Sequence, residues 1–222
     1  MVEPTDESTE KPSIDLSLHT GEGIVIDIGT GDGLFVYQSA RENPNKFFIG
    51  IDANPRPLEK VSEKIHRKPA KGGLANVLFL QAAVEELPPE LDGVADEVHI
   101  HFPWGSLLKA VATGDEVILG NLRRICADNA LLEVVVALDP ARDITQLERL
   151  EIPPLSPEYL ESVLFPRYRQ AGFEISENGM LPPSEWSSLH SSWAKRLRGS
   201  TSRPLTYIIA RAAARKEFQI GN

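Results

Sequence analysis

The sequence predicts an α/β fold, a mostly parallel sheet covered by helices on both faces. Two observations carry this. Apolar, β-branched runs alternate along the chain with segments of helical spacing, the pattern of a sheet buried on both sides. The run Ile24-Val-Ile-Asp-Ile-Gly-Thr-Gly-Asp-Gly33 reads as a buried strand that ends in a glycine-rich turn and opens a helix.

The first strand is read at 23–28, followed by a helix over 32–43. The second strand, Phe47-Phe-Ile-Gly-Ile-Asp52, leads to a helix over 55–66 and the turn Lys68-Pro-Ala-Lys-Gly-Gly73. Strands three, four and five are read near 76–81, 96–101 and 130–138. Residues 106–127 carry helical apolar spacing with a break at Thr113-Gly-Asp. A helix at 157–171 stops at Gly172, a usual helix end. Strand six begins at Phe173, and Leu205-Thr-Tyr-Ile-Ile-Ala210 is strand seven.

At 222 residues the chain suits one domain, read over 21–215, with insertions at about 139–156 and 180–204. The first of these is rich in proline and read as turns; the second holds Trp186, Trp193 and a basic run. Connections this long in a compact domain are usually functional or disordered, and the tryptophans and basic run of the second favour function. Residues 1–20 are acidic and polar, and are read as a mobile arm that is neither a signal nor a transit peptide. No apolar run approaches the roughly 18 residues of a membrane span. The single Cys126 excludes an internal disulfide framework and fits a reducing cytoplasm. It falls in an apolar helical pattern, which makes it a packed thiol rather than a nucleophile.

The net charge of −9 argues against a nucleic-acid partner, but its distribution argues back. From Trp186 to Lys216 there is no acidic residue, and a second basic cluster holds Lys60, Lys64, Arg67, Lys68 and Lys71. Average charge sets solubility, whereas a local patch sets phosphate affinity.

The glycines at 29, 31 and 33 carry the chemistry. A dinucleotide fingerprint needs its third glycine at 34, which is Leu34. Alternate glycines instead let the backbone curl against a ligand with no pyrophosphate. Asp27 precedes them, and Asp52 at the tip of the second strand can hold a ribose diol. That combination is the S-adenosylmethionine (SAM) pocket of Rossmann-like class I methyltransferases. The class implies a seven-stranded, mostly parallel sheet with an antiparallel last strand, and inserted segments that select the substrate. Strand four ends in Val98-His-Ile-His-Phe-Pro-Trp-Gly105, where a target atom would meet the methyl group. Trp104 there is either a face for a substrate base or a core residue capping the strand. His99 and His101 share a face, but with no Cys or carboxylate at ligand spacing they fall short of a metal site, so no metal is expected.

Phe102-Pro-Trp-Gly105, taken with Ser191-Ser-Trp-Ala-Lys-Arg-Leu197, resembles the kanamycin–apramycin resistance methyltransferases, which modify N1 of adenine 1408 in 16S rRNA of the 30S subunit. Lys68-Pro-Ala-Lys-Gly-Gly-Leu74 and Ala82-Ala-Val-Glu-Glu-Leu-Pro88 belong to the same resemblance, which runs from about Gly23 to Tyr207. It implies that Asp27 and the loop Gly29, Thr30, Gly31, Asp32 and Gly33 hold the methionine part of SAM. Asp52 would take the ribose, and Ala83, Val84 and Glu85 would border the adenine. Trp104 and Trp193 would sandwich the flipped base, with Ser106 and Ser191 near the methyl. Arg67, Lys68, Lys71, Lys195, Arg196 and Arg203 would grip rRNA phosphates. The expected protein is a cytoplasmic monomer that acts on the 30S subunit and confers aminoglycoside resistance. Three rival readings stay open: a tRNA guanine-N7 methyltransferase, whose aromatic-proline motif usually carries an acid missing here; a small-molecule methyltransferase; and a non-catalytic RNA- or ribosome-binding protein with a relict pocket.

Overall fold

The computed structural model describes residues 21–139, 142–181 and 205–215. Seven strands form one sheet in the order β3-β2-β1-β4-β5-β7-β6. Strand β1 (Ile24–Ile28) lies between β2 (Phe47–Asp52) and β4 (Ala95–His101), parallel to both. Strand β3 (Val77–Gln81) adds parallel to β2, and β5 (Cys126–Ala137) parallel to β4. Strand β7 (Leu205–Ala212) enters antiparallel between β5 and β6 (Phe173–Leu181), as the class requires. The chain builds outward from β1 to β3 and then returns to β4, so the strand order reverses between β1 and β4. A crevice outside the carboxyl ends of the strands at such a reversal is where open α/β sheets bind ligands.

Alternation along the strands sorts the core onto two faces. Val25, Phe48 and Val77 pack with Val36 and Tyr37 of α1 (Leu34–Glu42) and with Val61 and Ile65 of α2 (Glu59–Ile65). Ile26, Ile49, Val98, Ile100, Leu132 and Val134 pack on the other face. There they meet α3 (Gly105–Thr113), α4 (Glu116–Ile125) and α7 (Phe165–Gln170). Among the described residues no helix is long and apolar enough to cross a membrane.

Several boundaries differ from the sequence reading, each for a local reason. Helix α1 starts at Leu34, because Gly33 takes the left-handed conformation (φ 67°) just before it. Strand β5 begins at Cys126 directly after α4, so the cysteine opens a strand instead of sitting in a helix. It is still a packed thiol: burial pushes its pKa up to about 12. The connection 139–156 is not all turn. Its prolines flank a helix, α5 (Ile144–Leu150), whose approach is tied by Asp143 Oδ2 accepting from the Asp139 amide at 2.9 Å. The helix expected at 157–171 runs as α6 (Pro157–Tyr159), a π turn (Leu160–Leu164) and α7. Pro166 has no N–H to give the preceding turn, and the wider turn accommodates it.

Candidate cofactor and substrate site

The first glycine turn folds back over the end of β2. The amides of Gly29 and Thr30 donate to the Ile51 carbonyl at 2.8 and 3.0 Å. Gly29, Gly31 and Gly33 have φ of 72°, 60° and 67°, a region costly for residues with a Cβ. The loop thereby presents the Gly31 amide to Asp52 Oδ2 at 2.8 Å, while Asp52 Oδ1 accepts from the Asn54 amide at 2.8 Å. An ionised carboxylate accepts about four hydrogen bonds. Two backbone donors therefore orient Asp52 and leave capacity for a diol.

Beside this turn lies a cleft of about 350 Å³, within the size range of small-molecule and cofactor sites. Its walls come from four carboxyl-edge loops: Gly29 and Gly31; Asp52 and Ala53; Ala82–Glu85; and Phe102–Leu107 without Gly105. The structure thus brings together Gly29, Gly31, Asp52, Ala83, Val84, Glu85, Trp104 and Ser106. Thr30, Asp32 and Gly33 shape the turn without lining the cleft. Gly33 donates to the Thr30 carbonyl at 3.1 Å, and Asp32 Oδ1 accepts from the Leu34 amide at 3.2 Å. A Cβ at Gly31 would meet nothing within 4 Å, the condition of a backbone that faces open ligand space. The donor set fits SAM: an oriented carboxylate for the ribose, an alternating-glycine curve and a largely apolar wall for the ring.

Trp104 is 41% exposed and lines the cleft, so it is not a core residue capping the strand. Its presentation depends on Phe102, a buried residue held at φ 52°. Non-glycine residues at positive φ are uncommon and costly, and such strain collects at functional sites. The Phe102 ring packs with Val135 and Leu205, and its amide donates to the Val135 carbonyl at 2.8 Å. Pro103 and Gly105 (φ 59°) complete the turn into α3.

Asp27 does not line the cleft; it is buried beneath it. Burial pushes its carboxyl above the usual range, against the opposing pull of His101 and His99. These histidines do have carboxylates nearby, which corrects the sequence reading. Glu133 of β5 stands in register with His99 and approaches it at 3.3 Å and His101 at 2.6 Å. Glu97 holds the other nitrogen of His99 at 3.3 Å and pairs with Lys46 at 2.6 Å. Burial alone would depress His99, but its hydrogen bonds to Glu133 and Glu97 win and raise it to about 9. Glu133 is held below the usual carboxylate range by His101 and His99 despite its burial. Ligand atoms of His99, His101 and Glu133 lie within 4.8 Å of one another, close enough to share an ion, and hydrogen bonds to Glu133 join the two rings.

Arg67, Lys68 and Lys71 are exposed on a braced turn just before β3, where the Lys71 amide donates to the Lys68 carbonyl at 2.7 Å. That turn sits at the amino edge of the sheet, across the molecule from the cleft. Residues 1–20, Trp186, Ser191, Trp193, Lys195, Arg196 and Arg203 lie outside the described residues. Sequence reasoning missed Asn121, whose side chain touches the cleft wall from behind.

A reversed-order sheet with an antiparallel penultimate strand, carrying an alternating-glycine turn against an oriented aspartate, defines a class I SAM-dependent methyltransferase. The family model for NpmA, 16S rRNA (adenine(1408)-N(1))-methyltransferase, matches residues 8–213, and the chain belongs to that family. It is 39% identical over 182 residues to the 16S rRNA (adenine(1408)-N(1))-methyltransferase of Streptoalloteichus tenebrarius, 82% of this chain and 83% of that protein. The crystal structure of the aminoglycoside resistance methyltransferase NpmB1 superposes with a TM-score of 0.78 at 45% identity, covering 87% of this chain and 89% of that one. A tryptophan-to-alanine mutant of the corresponding enzyme from Catenulisporales acidiphilia, solved with cosubstrate SAM, gives a TM-score of 0.81 at 31% identity. The coverage is 89% of this chain and 88% of that one.

Proposed function

We propose that this chain methylates N1 of adenine 1408 in the 16S rRNA of the 30S subunit, with SAM as donor, and so confers aminoglycoside resistance. The observation that carries this is the exposed Trp104 at the lip of a cleft built around Asp52 and the glycine turn, in a chain of this family. Bound SAM supplies an electrophilic methyl group on a sulfonium. Adenine N1 is unprotonated at neutral pH and carries an in-plane lone pair, so the chain has no proton to remove. Its task is to position the base in line at near-attack distance.

A paired adenine cannot offer N1 to this cleft and must be flipped out and held. Trp104 stacks on one face of the base and Trp193 on the other, each contributing about 1–3 kcal/mol. An aromatic face also favours the cationic product. Ser106 and Ser191 border the reacting edge, and Asp27 sits beneath the glycine turn that holds the methionine end. Arg67, Lys68, Lys71, Lys195, Arg196 and Arg203 neutralise rRNA phosphates, with the first three gripping RNA far from the flipped base. The enzyme works as a monomer in the cytoplasm. A methyl group and a positive charge on the base block the hydrogen bonds that receive the drug.

The test is methyl transfer from labelled SAM to purified 30S subunits, mapped by reverse transcription. N1-methyladenine blocks the pairing edge, so a stop at adenine 1408 is expected. Label at another rRNA position, or none despite SAM binding, refutes the assignment.

A further inference from the structure

The cleft wall proposed to border the adenine of SAM includes a short 3₁₀ turn, Val84–Glu86, between extended residues Ala83 and Leu87. Its own hydrogen bonding is slight: the Glu86 amide donates to the Ala83 carbonyl at 3.0 Å. A single 3₁₀ turn has poor hydrogen-bond geometry and does not hold itself rigidly. The turn is fixed from behind by α4. Asn121 Nδ2 donates to the Val84 carbonyl at 3.0 Å and to the Glu85 carbonyl at 3.0 Å, which uses both of its hydrogens. One turn further along, Arg124 Nη2 donates to the Leu87 carbonyl at 2.8 Å.

In a trans peptide the C=O and the following N–H point in opposite directions. Drawing the Val84 carbonyl toward α4 therefore turns the Glu85 N–H away from α4, and Ala83, Val84 and Glu85 border the cleft. Purine ring nitrogens are acceptors, and a backbone N–H held at fixed angle is what such an edge requires. We propose that Asn121 is a positioning residue for the adenine of SAM: it never touches the cofactor, and it sets the peptide planes that do. This deepens the SAM-binding reading and rests on it.

The experiment is calorimetric titration of SAM into the ligand-free chain and its Asn121→Ala and Asn121→Asp variants. Losing the clamp should weaken SAM binding by about tenfold in Asn121→Ala, the size of one lost hydrogen bond. Asn121→Asp should be weaker still although nearly isosteric, because a carboxylate oxygen then faces two carbonyl oxygens. With 30S subunits, KM for SAM should rise while kcat at saturating SAM holds. A purely structural role predicts the reverse pattern, a lowered Tm with unchanged SAM affinity, and that result overturns the proposal. So does an Asp variant that binds as tightly as the wild type. A wild-type chain that binds no SAM removes the reading beneath it, and the proposal with it.

Discussion

A methyl group added at Gly33 meets a wall that one added at Gly31 does not. Both residues sit at positive φ, 67° and 60°, so alanine at either costs about 1–2 kcal/mol of left-handed strain. At Gly33 the new carbon would stand 2.6 Å from Phe79 Cε1 and 2.8 Å from Val61 Cγ1, side chains packed between α1, α2 and β3. Overpacking of that kind adds about 1–3 kcal/mol, giving about 2–5 kcal/mol in all. A chain of this size loses about 2–4 °C of Tm per kcal/mol. Gly33→Ala should then melt about 4–20 °C lower, and Gly31→Ala about 2–8 °C lower. Thermal and urea denaturation without SAM measures both. Titration of SAM separates them in the other direction: Gly31→Ala places its methyl at the cleft and should lose affinity beyond its small loss of stability. Equal melting losses for the two variants would refute the close-approach account of the third glycine.

Trp104→Ala should cut methylation of 30S subunits by a factor of about 5–150, the equivalent of 1–3 kcal/mol of stacking, while calorimetry still detects SAM binding. The His99 network makes stability depend on pH. The folded-state pKa of about 9 stands above the ordinary value of 6.5, so its stabilisation is complete below pH 6.5 and lost as pH rises through 9. The Tm advantage of the wild type over His99→Gln should shrink across that window; a constant gap would contradict the network. Asp115 caps α4, its Oδ1 accepting from the Ile118 amide at 3.0 Å. Asp115→Ala should cost about 1 kcal/mol in urea denaturation.

The glycine turn and Asp52 were legible in the sequence because their signal is local: a β-branched strand, three alternate glycines and an acid at the next strand tip. Trp104 was legible as a candidate but not as exposed, since exposure depends on the positive φ of Phe102, which no pattern announces. Glu133 was missed because it reaches His99 and His101 through the register of β4 with β5, and periodicity says nothing about register. Helix α5 is not legible as a helix because proline content marks a break without showing whether the prolines flank a helix or interrupt it. Asn121 carried no signal, because its partners are backbone carbonyls and any sequence supplies those.

Among the described residues, those that line the cleft fall between Ile28 and Leu107, in the first half of the chain. The segment read as carrying Trp193 and a basic run, 180–204, falls wholly in the second. Heredity can therefore handle the two tasks separately. Substitutions confined to 180–204 can retarget the acceptor and leave the cleft lining intact, whereas damage to Asp52 or the glycine turn disarms the enzyme for any acceptor. Under drug selection, that segment is the place where new ribosomal targets would be tried.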